Sequence, residues 1–263
     1  MPELILTKIE GNAGYISLNR PDYLNAFNLE LAEQFIRAVE DFEGNEGVRA
    51  VVVNGVGRVF SAGGDVREML GEVEEGTDRA AYFRKPLAAF NRMALSLREL
   101  PKPVLMAVHG AVAGVAFNLM LAGDIRIAEE NTRFTQAFIR VGLSPDGGGT
   151  WFLPRLVGYA RACELTMLPT EIDAGTALNW GLLNWLAPAE TFDDKVREIA
   201  NRLASGPQQA MGKTKLLLNS AGDHSLAEHM EIERLAQVEN ASHPDFEEGL
   251  RAFLEKRSPR FVS

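Results

Sequence analysis

The sequence predicts an α/β domain followed by an all-helical C-terminal region. Short β-rich runs alternate with segments of helical period through the N-terminal two-thirds of the 263 residues, which is typical of α/β folds. Strand signals end from Thr191 onward, and we place the change to helices at about residue 200. Hydrophobic residues make up 46% of the chain and charged residues 24%, a composition that indicates a globular protein rather than a disordered one.

The first elements predicted are a hairpin and an amphipathic helix. Polar and apolar residues alternate in residues 4–10 and 13–18, which predicts two antiparallel strands. Asn28 is a suitable N-cap for a helix that runs to about Gly44, because apolar residues recur there on one face. Three short apolar runs predict buried strands, and they are residues 50–54, 103–108 and 124–128.

The later elements are mostly helical. Residues 71–76 are rich in Glu and Gly and predict a mobile loop, and residues 77–100 predict a long helix closed by prolines. Four C-terminal helices are predicted, over residues 192–204, 208–220, 226–241 and 245–254. We assign residues 1–200 to a core and residues 201–263 to a helical C-terminal region.

Charge and composition exclude several classes of partner. A formal charge of −9 argues against a surface that coats nucleic acid. The N-terminal apolar stretch is too short and too charged for a signal peptide, and no run approaches about 18 apolar residues. We therefore expect a cytoplasmic protein with no membrane partner.

The one cysteine, Cys163, lies in a helical run and is expected to be a small buried residue.

Several cofactor and catalytic motifs fail at defined positions. A dinucleotide-binding pattern that starts at Gly55 has Phe60 in place of its last glycine, and Gly212-Lys213-Thr214 lacks the first glycine of a phosphate loop because Pro207 stands there. The His-x-Glu pattern at His229 is not followed by the cysteine pair of deaminases, and no Gly-x-Ser-x-Gly elbow occurs. No metal site is expected.

Three glycine-rich segments remain, and each lies where an apolar run passes to a helix: residues 61–65, 110–115 and 142–149. Glycine permits close approach of the backbone to a ligand, and a helix N-terminus leaves N–H groups unpaired. Two such turns facing each other would bind a carbonyl oxygen that becomes negative. A single turn of this kind is better explained as a connector, whereas three in one α/β region favour a binding role.

With these segments, the sequence resembles the enoyl-CoA hydratase/isomerase (crotonase) superfamily over nearly its whole length. The segment at residues 144–151 is most similar to isomerases of the ring-epoxyphenylacetyl-CoA and Δ3-Δ2-enoyl-CoA type. The resembling segments follow the family's order, and they are Asn19-Arg20-Pro21, Leu24-Asn25-Ala26, Phe60-Ser61-Ala62-Gly63-Gly64-Asp65, Lys102-Pro103-Val104, Val108-His109-Gly110, Ala122-Gly123-Asp124, Gly148-Gly149-Thr150, Leu153-Pro154-Arg155, Trp180-Gly181-Leu182 and Phe253-Leu254-Glu255-Lys256-Arg257.

The resemblance implies a spiral of β-β-α units, with residues 1–200 as the acyl-CoA-binding catalytic core and residues 201–263 building homotrimers, often paired into hexamers. The substrate it implies is an acyl-CoA thioester, with coenzyme A as part of the substrate and no separate cofactor. Members hold the thioester carbonyl between two backbone N–H groups, which match Gly64 and Val115. Positions that match the CoA-binding region are Asn25, Ala26, Ala62, Asp65, Val66, Arg67 and Lys256.

Some of these positions have a second interpretation. Asp65 is expected to support the Gly64 turn rather than to act as a base. Lys256 has two equally good interpretations. It contacts a CoA phosphate, either in its own subunit or in a neighbouring one, or it is a solvated lysine. For His109, which directly follows a predicted strand, we expect a structural role.

Asp146 is the candidate catalytic residue. Family hydratases carry two glutamates, and the matching positions here are Asn118 and Phe138. Asp146 has two possible roles from the residues alone, as a cap for a helix that begins near Gly147 or as an acid/base group. With both glutamates missing, the resemblance favours catalysis in a pocket that includes Asn118, Phe138 and Trp151.

The reaction that the resemblance implies is a one-base isomerisation, in which Asp146 moves a proton from C2 to C4 of a 3-enoyl-CoA while Gly64 and Val115 stabilise the dienolate. Three alternatives stay open. They are an enoyl-CoA hydratase, an enzyme in which Asp146 attacks an aryl-CoA, and a non-catalytic acyl-CoA-binding protein.

Overall fold

The computed structural model describes residues 3–168 and 170–262. The described strands are β1 Ile5–Glu10, β2 Ala13–Leu18, β3 Ala50–Gly55, β4 Val104–Val108, β5 Ala111–Ala113, β6 Ile125–Glu129, β7 Arg133–Thr135, β8 Glu171–Asp173 and β9 Trp185–Ala187. The α-helices are α1 Leu29–Gly44, α2 Val66–Glu74, α3 Arg79–Glu99, α4 Gly114–Ala122, α5 Gly149–Val157, α6 Tyr159–Met167, α7 Ala174–Asn179, α8 Phe192–Ala204, α9 Gln208–Ser220, α10 Leu226–Ala241 and α11 Pro244–Glu255.

Two sheets organise the N-terminal part of the chain. The larger has the order β1-β2-β3-β4-β6-β9, in which only the β1–β2 pair is antiparallel, and the smaller has the order β5-β7-β8. The chain passes from the larger sheet to the smaller twice, from β4 to β5 and from β6 to β7, and each time a helix follows. This succession of β-β-α units confirms the predicted α/β class and spiral arrangement.

Both faces of the larger sheet are covered, which explains the continuous apolar runs of its central strands. Val51 and Val53 of β3 face a cluster that includes residues of α1, α3 and α4. The alternate residue Val52 faces a second cluster, which α8 covers with Val196 and Ile199. The core therefore has helices on both sides of β3 and β4, and the ends of these strands lead into the glycine-rich turns.

Most of the predicted elements are present. The hairpin is confirmed by the pairing of β1 with β2, and the Asn28 cap by a hydrogen bond that its side chain accepts from Leu31 N at 3.0 Å. Helices α8, α9 and α10 have the predicted bounds. Among the described residues, no helix combines the length and apolar character needed to cross a membrane.

Two expectations were wrong, and four short strands were missed. Residues 71–76 do not form a loop through most of their length, because α2 runs to Glu74, with Asp65 as its N-cap. The short strands β5, β7, β8 and β9 were not predicted, since three residues show no measurable alternation. Cys163 is half-buried on α6 rather than fully buried. The functional division at residue 200 stays a prediction.

Candidate active site

Gly64 lies in a turn that is held at both sides by Phe27. Phe27 N donates to Gly63 O at 2.7 Å, and Asp65 N donates to Phe27 O at 2.9 Å. In a parallel bridge of this kind, the N–H of the intervening residue points away from the partner strand. Within the described chain the Gly64 N–H makes no hydrogen bond, so it is available to a ligand.

Val115 carries a second backbone N–H without an intrahelical partner. It is the second residue of α4, so its N–H belongs to the helix N-terminus and has no intrahelical partner. The N-cap residue Ala113 provides no side-chain acceptor. The positive end of the helix dipole adds to the attraction of this N–H for a negative oxygen.

The two turns are in contact through glycines. Gly63 has φ +94°, and a Cβ there would lie 2.8 Å from Ala113 O. Gly114 has φ +52°, and a Cβ there would lie 3.9 Å from Gly63 Cα. A side chain at Gly63 would therefore both strain the backbone and separate the two turns. This contact brings together the turns that carry Gly64 and Val115.

The third glycine-rich segment carries Asp146 to this site. A Cβ on Gly147 would lie 3.3 Å from Val115 Cγ2, so the residue after Asp146 packs on the first turn of α4. Oδ1 of Asp146 is buried and has no hydrogen-bond partner among the described residues. Burial raises the pKa of the Asp146 carboxyl from 3.8 to about 6, and no ionised side chain contributes to the rise.

Asp146 is not a helix cap. Helix α5 begins at Gly149, later than the predicted start near Gly147, and its N-cap is Gly148, which adopts a left-handed conformation with φ 86°. No side chain caps this helix. The structural alternative for Asp146 was therefore wrong, and its carboxyl has no described role in holding the fold.

Of the predicted pocket residues, Asn118 and Phe138 lie beside this site. Asn118 is fully buried, and its Nδ2 donates to Asp146 O at 2.8 Å. A Cβ on Gly114 would lie 3.8 Å from Phe138 Cζ, which places this buried ring against the α4 turn. Trp151 lies on α5, where it is 43% exposed and lines a cavity together with Gly147, Gly148 and Phe152.

Two polar residues that support the site were not predicted. Arg20 Nη2 donates to Asp65 Oδ2 at 3.0 Å, and Arg20 Nη1 donates to Ala26 O at 2.6 Å, so this side chain ties the Gly64 turn to the preceding segment. Asp65 is buried in this ion pair and caps α2 through Glu68 N. Gln136 donates to Asn118, and no sequence pattern pointed to it because the contact joins separate elements.

The predicted CoA-binding residues fall into two groups. The side chain of Asn25 is fully buried and bonds the backbone at Arg20, Val56 and Val59, so it holds the loop rather than facing a ligand. Exposed residues near the Gly64 turn are Ala62, Val66 and Arg67, whereas Ala26 is buried.

Lys256 and His109 lie outside the pair of turns. Lys256 is exposed at the C-terminal end of α11, a helix that packs on α10. His109 Nε2 lies 2.9 Å from Gly57 O, a structural contact. No group of three or more potential metal ligands occurs in residues 3–168 and 170–262.

Fold and site together define a protein in which the Gly64 and Val115 turns contact each other and the segment that carries the half-buried Asp146 packs against the first turn of α4. A family model described as Enoyl-CoA hydratase/isomerase matches residues 8–263. The chain is 37% identical to 1,2-epoxyphenylacetyl-CoA isomerase of Escherichia coli K12, over 100% of this chain and 99% of the relative. It is 34% identical to trans-2-decenoyl-(acyl-carrier-protein) isomerase of Streptococcus mutans, over 98% of this chain and 97% of the relative.

A solved structure agrees with these matches. An enoyl-CoA hydratase from Polaromonas sp. JS666 superposes with a TM-score of 0.92 and 35% identity, over 98% of this chain and 99% of that one. The chain therefore belongs to the enoyl-CoA hydratase/isomerase family and is an enzyme of the crotonase fold. Its relatives carry both isomerase and hydratase names.

Proposed function

We propose that this enzyme shifts the double bond of an enoyl-CoA from the 3 to the 2 position, with Asp146 as its one catalytic carboxyl. The observation that carries the proposal is the half-buried Asp146 carboxyl, whose buried Oδ1 has no hydrogen-bond partner among the described residues and whose segment packs on the first turn of α4. A carboxyl that caps no helix and is costly to bury is expected to serve the reaction.

The reaction needs one proton to leave C2 and one to arrive at C4. The Asp146 carboxylate removes the C2 proton, and the electron pair passes through the thioester carbonyl to give a dienolate. The N–H groups of Gly64 and Val115 donate to the dienolate oxygen, whose negative charge they stabilise. The Asp146 carboxylic acid then returns the proton to C4, which regenerates the carboxylate and leaves the double bond conjugated with the carbonyl.

The raised pKa suits both halves of this cycle. A carboxyl with a pKa of about 6 is largely ionised at pH 7, yet it binds a proton more readily than an ordinary aspartate. The base and the acid are then the same group in two states. No second carboxyl is required.

Hydration requires control of a water molecule in addition to the enolate. The two positions that match hydratase glutamates are occupied by Asn118 and Phe138. Asn118 uses both ends of its amide within the protein, and Phe138 has no ionisable group. These contacts support an isomerase over a hydratase.

The ligand in this proposal is an acyl-CoA thioester, with no separate cofactor. We place the adenine end of the CoA near Ala62. The exposed residues Val66 and Arg67 then lie at the entry to the site. We further propose that Lys256 contacts a CoA phosphate in a homotrimer or hexamer. The relatives support a CoA or acyl-carrier-protein thioester, since their names state one.

The test compares wild type with Asp146→Asn on 3-hexenoyl-CoA and crotonyl-CoA. We expect isomerisation of 3-hexenoyl-CoA by the wild type, a loss of about 10²–10⁴-fold in the variant, and little hydration of crotonyl-CoA. Full activity in Asp146→Asn would refute the role of Asp146. Rapid hydration of crotonyl-CoA would instead identify a hydratase.

A further inference from the structure

A buried pair of side-chain amides binds the backbone of Asp146. Asn118 Nδ2 donates to Asp146 O at 2.8 Å, and Asn118 Oδ1 accepts from Gln136 Nε2 at 2.7 Å. Both amide side chains are fully buried. Because the Asp146 carbonyl can only accept, it fixes which end of the Asn118 amide faces it, and Asn118 in turn fixes the direction of the Gln136 amide.

The glycines that follow Asp146 pack directly on the same helix. A Cβ on Gly147 would lie 3.3 Å from Val115 Cγ2 and 3.7 Å from Asn118 Cβ. A Cβ on Gly149 would overlap the Asn118 amide, so this position requires glycine. Val115 and Asn118 are three residues apart on α4 and therefore lie on one face of the helix.

We propose that Asn118, held from behind by Gln136, is a positioning residue that locks the Asp146 turn onto the first turn of α4. This inference rests on the proposed function of Asp146. Helix α4 then sets both parts of the site, since Val115 contributes its N–H and Asn118 fixes the segment that carries the base. The distance between the base and the oxyanion position is thereby controlled by one rigid helix.

The chemistry of the amide is essential to this role. An ionised carboxylate at position 118 would only accept, so it would lose the bond to Asp146 O and place a second negative charge beside the first. An alanine would remove both bonds, leave the Gln136 amide without its Asn118 partner and leave the Asp146 carbonyl with the Gly149 N–H as its remaining donor. Position 118 matches a catalytic glutamate of the family's hydratases. In this chain its asparagine acts instead as a hydrogen-bond donor that holds the Asp146 turn.

The experiment compares Asn118→Ala, Asn118→Asp and Gln136→Met with wild type. We measure kcat and KM on 3-hexenoyl-CoA, and the pKa of Asp146 by ¹³C NMR of aspartate-labelled protein, with Asp146→Asn used to assign the signal. Ser96→Ala is the control, since it removes a buried hydroxyl of α3 that bonds Met93 O within its own helix.

In Asn118→Ala we expect kcat to fall about 10–100-fold with little change in KM, as for other groups that position a reactive side chain. The pKa of Asp146 should fall toward its ordinary value, because a loosened turn admits water. Asn118→Asp should raise that pKa, and Gln136→Met should lower kcat by less than Asn118→Ala. Ser96→Ala should keep the wild-type kcat and pKa.

Two readouts separate this proposal from the proposed function. If wild type does not isomerise 3-enoyl-CoA, the proposed function fails, and the NMR pKa alone decides the positioning role. An unchanged Asp146 pKa in Asn118→Ala and Gln136→Met would overturn the positioning role. So would variants that lose thermal stability but keep the wild-type kcat per folded molecule. Where Asn118→Ala does not fold, Gln136→Met supplies both readouts.

Discussion

Replacing Asp146 with asparagine should stabilise the protein at neutral pH, although it removes the proposed base. Burial raises the pKa of this carboxyl from 3.8 to about 6, so the folded state binds the proton more tightly than the unfolded state. The stability that this group contributes is then fully present below pH 3.8 and is lost as the pH rises through about 6. Above that range, folding buries a charge without a partner.

The size of the effect follows from the pKa difference. A rise from 3.8 to about 6 corresponds to about 3 kcal/mol in the free energy of unfolding at 1.36 kcal/mol per pKa unit. Asp146 retains some exposure, and a buried asparagine amide has its own unpaired donors, so the expected gain is about 1–3 kcal/mol. The gain should develop between pH 4 and 7 and be absent at the acid end.

Urea unfolding of wild type and Asp146→Asn at equal protein concentration, from pH 4 to pH 8, measures this gain. Asp173→Asn is the matched control, because hydrogen bonds from Thr176 hold the pKa of that exposed carboxyl below its ordinary value. Its contribution to stability is present at neutral pH and is lost in acid, which is the opposite dependence. A gain in Asp146→Asn that is the same at every pH, or a loss at pH 8, would refute the reasoning.

Three further predictions concern activity and the support of the oxyanion turn. The value of kcat/KM on 3-hexenoyl-CoA should fall about tenfold per pH unit below about pH 6, as Asp146 becomes protonated; a flat profile from pH 5 to 8 would contradict this. Gly63→Ala should lower kcat/KM about 10²–10³-fold, because the added Cβ would separate the two turns. The control is Gly71→Ala, whose added Cβ would have no heavy atom within 4 Å, and it should keep wild-type kinetics in the same assay. Asp65→Asn should lower the free energy of unfolding by about 3–5 kcal/mol because it removes the carboxylate that balances the largely buried Arg20 charge and leaves that side chain only its bond to Ala26 O. Arg20→Met in that background should restore part of the loss in urea titrations.

Local patterns in the sequence were sufficient for the long elements. The cap at Asn28 and the apolar period that follows it specify α1, and the bounds of α8 to α10 followed from period alone. The glycine-rich turns were also identifiable from the sequence. Each lies between an apolar run and a helical segment, where glycine permits a close approach of the backbone. Asp146 was selected by resemblance and by the absence of two glutamates.

Contacts between distant segments could not be predicted. The Asn118 amide joins α4 to Gln136 and to the Asp146 turn, and the signal for that network is its geometry. The same holds for Arg20 and Asp65, which are 45 positions apart. Residues 71–74 form the end of α2 because Asp65 caps a helix that reaches them, although their own composition indicates a loop.

The central claim is that one carboxyl both removes and returns the proton. It is tested most directly with 3-hexenoyl-CoA that carries deuterium at C2 and reacts in ordinary water, with the position of deuterium in early product read by NMR and mass spectrometry. A single Asp146 carboxyl with a buried Oδ1 predicts that a measurable fraction of the label arrives at C4. Rapid isomerisation with no deuterium at C4 in the earliest product would contradict direct return of the abstracted proton, because it would require either a second group or exchange of the Asp146 proton with water before its return.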